Sequence, residues 1–397
     1  MKILLVHRYF WPDTPPYASI LRTVGEHLAE SGHSVEVLTA QPSYGGPDLH
    51  PKARTSETVN GVRIMRAPLL RESKSKPVGR LVNLVLFAAQ VFLKVARGDY
   101  DAVMAATTPP VLVALAARSA AKLKGAKFVY HMQDIYPEVL AANSGTGLSK
   151  PLRFLRKVDG MNTRAADKVV VLSSDMRDSL SKRGHPVDHV SVINNFVPDG
   201  THTTALNAPP ARPDYDSFQV VFAGNLGNFQ GLDAVVSAFH ILRGKDVQAH
   251  LLLLGDGAAE QSLRDQTGDL LDKTVFFEGR VSQSEAEQVV GESDLALVTL
   301  NPGVIATAFP SKTMTYLSAG TRVLAAVEAN SELATTLSEN NVGSSCELTP
   351  ESIAEAIIQV WQSPAVTTET VRQFARTYAS TEARLPQWSN LFGELDD

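Results

Sequence analysis

Residues 219–243, QVVFAGNLGNFQGLDAVVSAFHILR, contain a complete strand–turn–helix unit. The apolar run at 219–223 is short and partly β-branched, which is typical of a buried strand. Gly224, Gly227 and Gly231 then interrupt the chain before an amphipathic segment with helical spacing begins. Glycines at such a turn let backbone N–H groups approach a phosphate at the positive end of the helix. A tight turn without a ligand also needs glycine, so the surrounding units must decide between these interpretations.

The same alternation continues on both sides of this unit. Downstream, short apolar runs separated by helical segments occur at 249–255, 275–279, 295–300 and 322–327. Upstream, seven such runs occur at 2–6, 35–39, 63–67, 102–106, 127–131, 168–172 and 190–193. Strands that alternate with helices predict a parallel, doubly wound α/β sheet.

The alternation pauses once, at residues 197–216, which contain four prolines and few apolar residues. This composition is typical of a linker between domains. We therefore predict a first domain at 1–197 and a second at 217–369, with a C-terminal helix at about 370–397 that packs back on the first. Two doubly wound domains create a cleft between the carboxyl ends of their sheets, where such folds bind ligands.

Composition excludes several classes of protein. The 397 residues carry a formal net charge of −5 without a basic tail, so we expect no nucleic-acid partner. Cys346 is the only cysteine, and no His/Cys/Asp/Glu cluster has metal-ligand spacing, so we predict neither a disulfide, a metal nor a cofactor.

The N-terminal run ends in His7 and Arg8 and is typical of a strand, not a signal peptide. Because apolar runs stay below about 18 residues, we expect no spanning helix and a cytoplasmic location.

The order of the motifs resembles a known family. FAGNLGNFQGL, LLLLGDGAAEQSLR, VFFEGRVSQSEAEQ and FPSKTMTYLSAG follow one another as in the C-terminal half of the retaining glycosyltransferases of family 4. HRYFWPDTPPYAS, VYHMQDIYPE and VINNFVPDG resemble that family's opening strand, cleft loop and crossover. The resemblance covers about residues 1–395 and implies the GT-B fold, in which two Rossmann-like domains face a central cleft.

Four motifs are most similar to one branch of that family, the colanic-acid and L-fucosamine-type transferases. They are ATTPP (106–110), QDIYPE (133–138), GNLGNFQGL (224–232) and FPSK (309–312). The resemblance implies transfer of a sugar from a nucleoside-diphosphate sugar, UDP-linked, to a glycan or lipid-linked acceptor in surface-polysaccharide synthesis. Two alternatives stay open: a UDP-sugar 2-epimerase of the same fold, and an inactive assembly subunit that binds nucleotide sugars.

The sequence departs from the family at four positions. Thr307 and Thr315 stand where the family has a Glu-x7-Glu pair, and Asn225 and Gln230 stand where it often has an Arg and a Lys that neutralise the diphosphate. A diphosphate leaving group still needs positive charge. Lys312 is the best candidate, although a solvated lysine at a helix start would give the same pattern.

The predicted site follows from the resemblance and these departures. The donor is expected to contact a set of residues in the second half, with its base near 279–281: Gly224, Asn225, Gly227, Gly255, Arg280, Thr307, Ser311, Lys312 and Thr315. Lys312, Asp134 and His131 are the predicted catalytic residues, because a carboxylate or imidazole in the cleft can orient the acceptor or take its proton. A helix cap is the alternative for Asp134. Tyr17 and Glu138 are predicted on the acceptor side.

A membrane contact is predicted at residues 71–97. The segment 71–80 is basic, and the apolar run 81–93 that follows is flanked by Lys94 and Arg97. The run is too short to span, but an apolar helix with basic ends suits the interface of an anionic bilayer. We therefore expect peripheral attachment to the inner face of the cell membrane. The alternative is a buried helix preceded by a solvated basic loop.

Overall fold

The computed structural model describes residues 1–13, 15–43, 52–70, 77–144, 148–198, 217–363 and 366–396. Most of the predicted linker and the basic residues 71–76 lie outside these ranges.

The first half is built on one eight-stranded sheet. Its strands are β1 (Lys2–Val6), β2 (Ser34–Ala40), β3 (Ser56–Val59), β4 (Val62–Ala67), β5 (Ala102–Ala106), β6 (Lys127–His131), β7 (Lys168–Val171) and β8 (Val190–Val192). Their order is β3-β4-β2-β1-β5-β6-β7-β8, and only β3 runs antiparallel, to β4. The helices between them are α1 (Pro16–Glu30), α2 (Pro77–Arg97), α3 (Leu112–Lys124), α4 (Glu138–Ser144), α5 (Lys150–Arg164) and α6 (Ser174–Lys182).

Side-chain alternation along β1 explains the layers of this half. Ile3 and Leu5 join the core that contains α1, whereas Leu4 and Val6 join the core that contains α2 and α3. Successive side chains of a strand point to opposite faces, so a strand that is apolar throughout must be covered by helices on both sides.

The second half is built on six strands that are all parallel. They are β9 (Phe218–Ala223), β10 (Ala249–Leu254), β11 (Val275–Gly279), β12 (Leu295–Thr299), β13 (Arg322–Ala326) and β14 (Gly343–Cys346). Their order is β11-β10-β9-β12-β13-β14. The helices are α7 (Leu232–Gly244), α8 (Glu260–Thr267), α9 (Gln283–Gly291), α10 (Lys312–Ala319), α11 (Glu332–Glu339) and α12 (Pro350–Gln362). The predicted architecture of two doubly wound sheets is confirmed.

The C-terminal segment consists of two helices, α13 (Thr368–Tyr378) and α14 (Thr381–Asp396), where the sequence suggested one. The first packs on α10 of the second half, and only the second returns to α1. There His27 Nε2 lies 2.7 Å from Ser389 Oγ, and Trp388 is buried in the core of the first half.

In the described parts of the chain, hydrogen bonds from backbone N–H groups join the halves at two places near the carboxyl ends of their sheets. At one, the Ile135 N–H donates to the Thr307 carbonyl at 2.7 Å. At the other, the first turns of α6 and α11 exchange acidic partners: the Ser174 N–H donates to Glu332 Oε2 at 2.6 Å, and the Glu332 N–H donates to Asp175 Oδ2 at 2.9 Å. Each carboxylate therefore satisfies the positive end of the helix in the other half.

Helix α2 has 21 residues, so the expectation that this segment is too short to span was wrong. Its residues Gly79–Arg97 have a mean hydropathy of 1.5 and satisfy the length and composition of a membrane span, with 28% of that window buried. One side, including Phe87 and Val91, lies in the core of the first half. Because α2 connects two strands of the same sheet, its packing fits a helix that lies on this half better than one that crosses a bilayer.

Candidate active site

Two glycine turns lie against each other at the end of β9 and β10. A Cβ at Gly255 would overlap the carbonyl oxygen of Gly224, and a Cβ at Gly257 would overlap that of Leu226. Gly224 and Gly255 also have φ values of 141° and 129°, which side chains rarely adopt. These glycines are therefore needed for the close approach of two backbone segments, whether or not a ligand is present.

Part of the hydrogen-bonding capacity of these turns is already used. The Gly224 N–H donates to the Leu254 carbonyl at 2.8 Å, the Leu226 N–H to that of Asp256 at 2.9 Å, and the Gly255 N–H to that of Gly279 at 2.6 Å. Among the described residues, the N–H groups of Asn225 and Gly227 have no protein acceptor. These two remain to bind an anion at the turn.

Lys312, the first residue of α10, reaches the same turn. Its Nζ donates to Gln230 Oε1 at 3.3 Å and lies 3.5 Å from the centre of the Phe222 ring. A Cβ at Gly224 would come within 3.2 Å of that Nζ, so the glycine leaves room for the ammonium. In the described part of the chain no carboxylate pairs with Lys312. The structure thus brings Lys312, Gln230 and Gly224 together, as the sequence suggested.

The environment of this ammonium is poor for a free cation. Burial lowers the pKa of Lys312 to about 7, and among the described residues its hydrogen-bond partner is the neutral amide of Gln230. The face of Phe222 offsets part of the lost hydration through a cation–π contact. A phosphate beside the ammonium would restore its pKa and hold it charged. The turn is therefore electrostatically incomplete without an anion.

Tyr316 is a residue of this site that the sequence analysis missed. Its hydroxyl accepts from the Ala223 N–H at 2.8 Å and donates to the Ala223 carbonyl at 3.0 Å, which fixes the end of β9. Tyr316 follows Lys312 by four residues on α10 and so lies on the same face of that helix. That spacing was the signal available in the sequence.

The other predicted donor residues are less tightly grouped. Ser311 and Thr315 are half-buried on the first turns around the start of α10. The hydroxyl of Thr307 donates to the Val304 carbonyl at 2.9 Å, and its own carbonyl holds the junction with Ile135, so its polar atoms are occupied. Arg280 is exposed and pairs with Asp256 at 3.2 Å beside the second glycine turn.

On the facing edge, His131 lies in a chain of buried polar side chains. Its Nε2 lies 2.8 Å from Gln133 Nε2, its Nδ1 lies 2.8 Å from the Tyr17 hydroxyl, and Asn195 Nδ2 donates to Gln133 Oε1 at 2.9 Å. Because the Gln133 amide donates to Nε2, His131 carries its proton on Nδ1 and donates it to Tyr17. Burial lowers the pKa of His131 to about 3. Both ring nitrogens are thus occupied, which places His131 behind Tyr17; its catalytic role stays a prediction.

Asp134 lies at the junction of the two halves, bridged to Ala308 through the backbone. Its N–H donates to Thr107 Oγ1 at 3.3 Å, and burial raises the pKa of its carboxyl to about 6. Within the described ranges, its carboxylate makes no hydrogen bond and caps no helix. A half-buried carboxyl with this pKa suits proton transfer near neutral pH.

Glu138 is occupied by ion pairs. Its carboxylate lies 2.9 Å from Arg156 Nε and 3.4 Å from Arg183 Nε, and Arg183 also pairs with the buried Asp159 at 3.0 Å. These contacts connect α4 to α5 and α6. They account for Glu138 structurally and give no support to its predicted place on the acceptor side.

A cavity of about 510 Å³ lies away from these residues, between α3 and the start of β6. Arg118, Lys122 and Lys127 line it at the amino end of the sheet. Lys122 lies in the last turn of α3, where a cation offsets the negative end of the helix dipole, while Arg118 donates to the Met161 carbonyl and Lys127 pairs with Asp167. Among the residues described, no group of three or more His, Cys, Asp or Glu side chains could hold a metal ion.

Comparison with known proteins identifies the two halves. Residues 17–195 match the family described as "Glycosyl transferase 4-like domain", and residues 217–363 match "Glycosyl transferases group 1". The chain is 25% identical over 387 residues to the putative colanic acid biosynthesis glycosyl transferase WcaI of Escherichia coli, covering 91% of this chain and 92% of WcaI. It is 25% identical over 280 residues to the probable glycosyltransferase WbjE of Pseudomonas aeruginosa, covering 68% of each.

Solved structures show the same fold. The sucrose-phosphate synthase of Thermosynechococcus elongatus matches with a TM-score of 0.75 at 18% identity, covering 99% of this chain and 98% of that one. HepE of Anabaena in complex with UDP matches with a TM-score of 0.69 at 17% identity, covering 99% and 100%. The chain therefore belongs to the GT-B glycosyltransferases, with a first half of the glycosyl transferase 4-like type and a second half of group 1.

Proposed function

We propose that this glycosyltransferase is a retaining enzyme that transfers a sugar from a UDP-linked donor to a glycan or lipid-linked acceptor in surface-polysaccharide synthesis. The observation that carries the proposal is the buried ammonium of Lys312 beside the glycine turn, where no described carboxylate balances it. A diphosphate is the anion that a nucleotide-sugar donor would bring to this turn. Of the donor residues predicted from the sequence, Gly224, Asn225 and Gly227 form this turn, and Lys312 lies beside it.

The proposed reaction needs positive charge beside the leaving diphosphate. The bond between the anomeric carbon and the diphosphate oxygen breaks, and the electron pair stays on the leaving diphosphate. Lys312 and the N–H groups of Asn225 and Gly227 stabilise that growing charge. An acceptor hydroxyl forms the new bond to the same carbon. Its proton goes to Asp134 or to the departing phosphate, with Tyr17 and His131 shaping the acceptor side.

The relatives support the finer parts of the proposal. WcaI is named for colanic acid biosynthesis, and HepE has been solved with UDP. A lipid-linked acceptor would be met at the inner face of the cell membrane, and α2 is the described part of the segment proposed to contact it. Thr307 and Thr315 lack the carboxylates of the wider family, which leaves room for an assembly subunit that only binds donor. Hydrolysis of the donor by the purified chain would count against that alternative.

Lys312→Ala tests the proposal. It should weaken UDP binding by about 1.5–3 kcal/mol, the range for a charged hydrogen bond, and lower turnover further because the charge is largest in the transition state. Calorimetry with UDP and with uridine measures the effect, since uridine lacks the diphosphate and should bind equally to both proteins. Lys245→Ala, an exposed lysine at the end of α7, is the matched control. Equal losses for UDP and uridine, or none for UDP, would remove Lys312 from the site.

A further inference from the structure

Exposed apolar side chains are concentrated on one part of the surface. Of the twelve large hydrophobic residues exposed in the described chain, nine lie on α2, α3 and α5. The most exposed on each helix are Leu81 at 62%, Leu123 at 71% and Phe154 at 66%. Single exposed apolar residues are ordinary, but a concentration of this kind marks a contact surface.

The three helices form one layer. Helix α3 packs against both α2 and α5, and Arg118 of α3 donates to the Met161 carbonyl of α5 at 3.0 Å. The helices connect successive parallel strands from β4 to β7 in the same direction along the sheet, so right-handed crossovers place them on the same face of it. We call this layer the α2–α3–α5 face.

The charge of this face differs from that of the whole protein. The three helices carry eleven Lys and Arg residues and a single acid, Asp159, which is fully buried. The chain as a whole has a net charge of −5. A two-fold dimer through this face would bring basic side chains against basic side chains, which is unfavourable. An extended anionic and apolar partner complements both properties.

Helix α5 shows the pattern most clearly. Lys150, Phe154, Lys157, Met161 and Arg164 follow one line along the helix at intervals of four and three residues, and all five are exposed. Cations alternate with apolar side chains on that line. Lys and Arg can keep their charged ends among lipid head groups while the apolar residues between them enter the acyl boundary.

We propose that the α2–α3–α5 face lies on the surface of an anionic bilayer. The face extends the membrane contact beyond the segment 71–97 to α3 and α5, which are distant in sequence. This inference deepens the proposed function and rests on it, because it holds the enzyme beside a lipid-linked acceptor. The attachment itself is independent of donor chemistry at Lys312.

Cosedimentation with vesicles tests the proposal. The protein should bind vesicles that contain one third phosphatidylglycerol, bind vesicles of phosphatidylcholine alone much more weakly, and release from the former at high salt. Val85→Glu on α2 and Phe154→Glu on α5 should each weaken binding by roughly tenfold or more, because each places a charge where an apolar side chain is buried in lipid. Trp361→Glu, which changes an exposed apolar residue on α12 of the second half, should bind as the unaltered protein does.

The outcomes separate attachment from catalysis. Equal binding to both vesicle types would show that anionic lipid is not recognised, and unaltered binding of Phe154→Glu would remove α5 from the contact. Either result, or no binding at all, would overturn the proposal. Melting temperature shows that each variant is folded, and UDP calorimetry on the same variants should be unchanged. If the unaltered protein did not bind UDP, the proposed function would be contradicted, but the conclusion from vesicle binding would not be affected.

Discussion

The carboxyl edges of the two sheets face the same cleft but differ in the residues that form them. The edge of the first half contains neutral side chains that satisfy one another, with His131 between Tyr17 and Gln133. The edge of the second half contains bare glycine turns and the ammonium of Lys312, whose charge no described carboxylate balances. The His131 cluster is complete without a ligand, whereas the glycine turn beside Lys312 is not.

This difference supports the proposed placement of the two substrates. An uncompensated buried cation favours the anionic donor at the second edge, because a diphosphate offsets its cost of desolvation. A neutral, hydrogen-bonded cluster around His131, with the Asp134 carboxyl on the same edge, suits an uncharged acceptor hydroxyl. Variants on each side can sharpen or break this assignment.

The largest effect is expected from Gly255→Ala. The new methyl group would overlap the Gly224 carbonyl oxygen at a φ of 129°, so the two turns must separate. We expect a loss of about 3 kcal/mol in the free energy of unfolding, from overpacking and backbone strain together, and weaker UDP binding. Denaturant unfolding measures the first and calorimetry the second.

Gly244→Ala is the matched control, because an added methyl group there meets no atom within 4 Å at the end of α7. Its stability should change by less than about 1 kcal/mol. If Gly255→Ala behaved like this control, the close contact of the two turns would not be what holds the donor edge.

Asp134→Asn, on the edge of the first half, should lower the turnover rate more than it changes binding or stability. The substitution keeps the shape and removes the charge of a carboxyl with a pKa of about 6. Turnover should fall by about 10²-fold if Asp134 positions or deprotonates the acceptor, with UDP affinity and melting temperature nearly unchanged. In the unaltered enzyme, turnover should decline as the pH falls through about 6, since protonation removes the base. Steady-state kinetics against pH checks both.

Asp188→Asn, an exposed aspartate in the loop before β8, serves as the control and should leave turnover unaltered. A large fall in melting temperature with near-normal turnover in Asp134→Asn would instead make Asp134 a structural residue of the junction.

The smallest effect concerns the protonation of the first edge. His131 has a pKa of about 3 in the folded protein against about 6.5 unfolded, so only the unfolded state binds this proton between those values. The stability contributed by His131 is fully present above pH 6.5 and is lost as the pH falls below it, by about 1.4 kcal/mol per pH unit. His131→Gln lacks this dependence.

Unfolding of both proteins at pH 7.5 and 5.5 should therefore show the stability gap between them narrowing at the lower pH. Subtraction removes the contributions of other titrating groups such as His7, which both proteins share. His240→Gln, which changes an exposed histidine, is the control for the substitution itself. A constant gap for His131→Gln would mean that His131 accepts a proton readily and that this edge is not held neutral.

Much of the fold could be predicted because buried parallel strands are apolar along their whole length. Each of the twelve predicted runs corresponds to a strand, but β3 and β14 were missed. β3 reads SETV and lies antiparallel at the sheet edge, while β14 reads GSSC, also at an edge. Edge strands are covered on fewer sides and need no continuous apolar run, so periodicity does not reveal them.

The site was less accessible to sequence reasoning, for a different reason. The approach of Lys312 to the glycine turn could be expected from the missing basic pair at Asn225 and Gln230. Which polar atoms already have hydrogen-bond partners could not be predicted. Gln133 and Asn195 are 62 residues apart, yet together they determine which ring nitrogen of His131 carries the proton. The ion pairs of Glu138 with Arg156 and Arg183 likewise depend on three helices meeting in space.

The exchange of acidic partners between α6 and α11 limits how this enzyme can be recombined. Ser174 relies on Glu332 of the other half, and the Glu332 N–H relies on Asp175. Ser173 and Ser331 cap the helix ends from their own halves, but the N–H groups of Ser174 and Glu332 find their acceptors in the opposite half. A chimera that takes its second half from a relative without an acid at the position of Glu332 would leave the Ser174 N–H unpaired and two positive helix ends facing each other. Exchanging the whole second half of this protein should therefore preserve its stability only when this pair of carboxylates is kept.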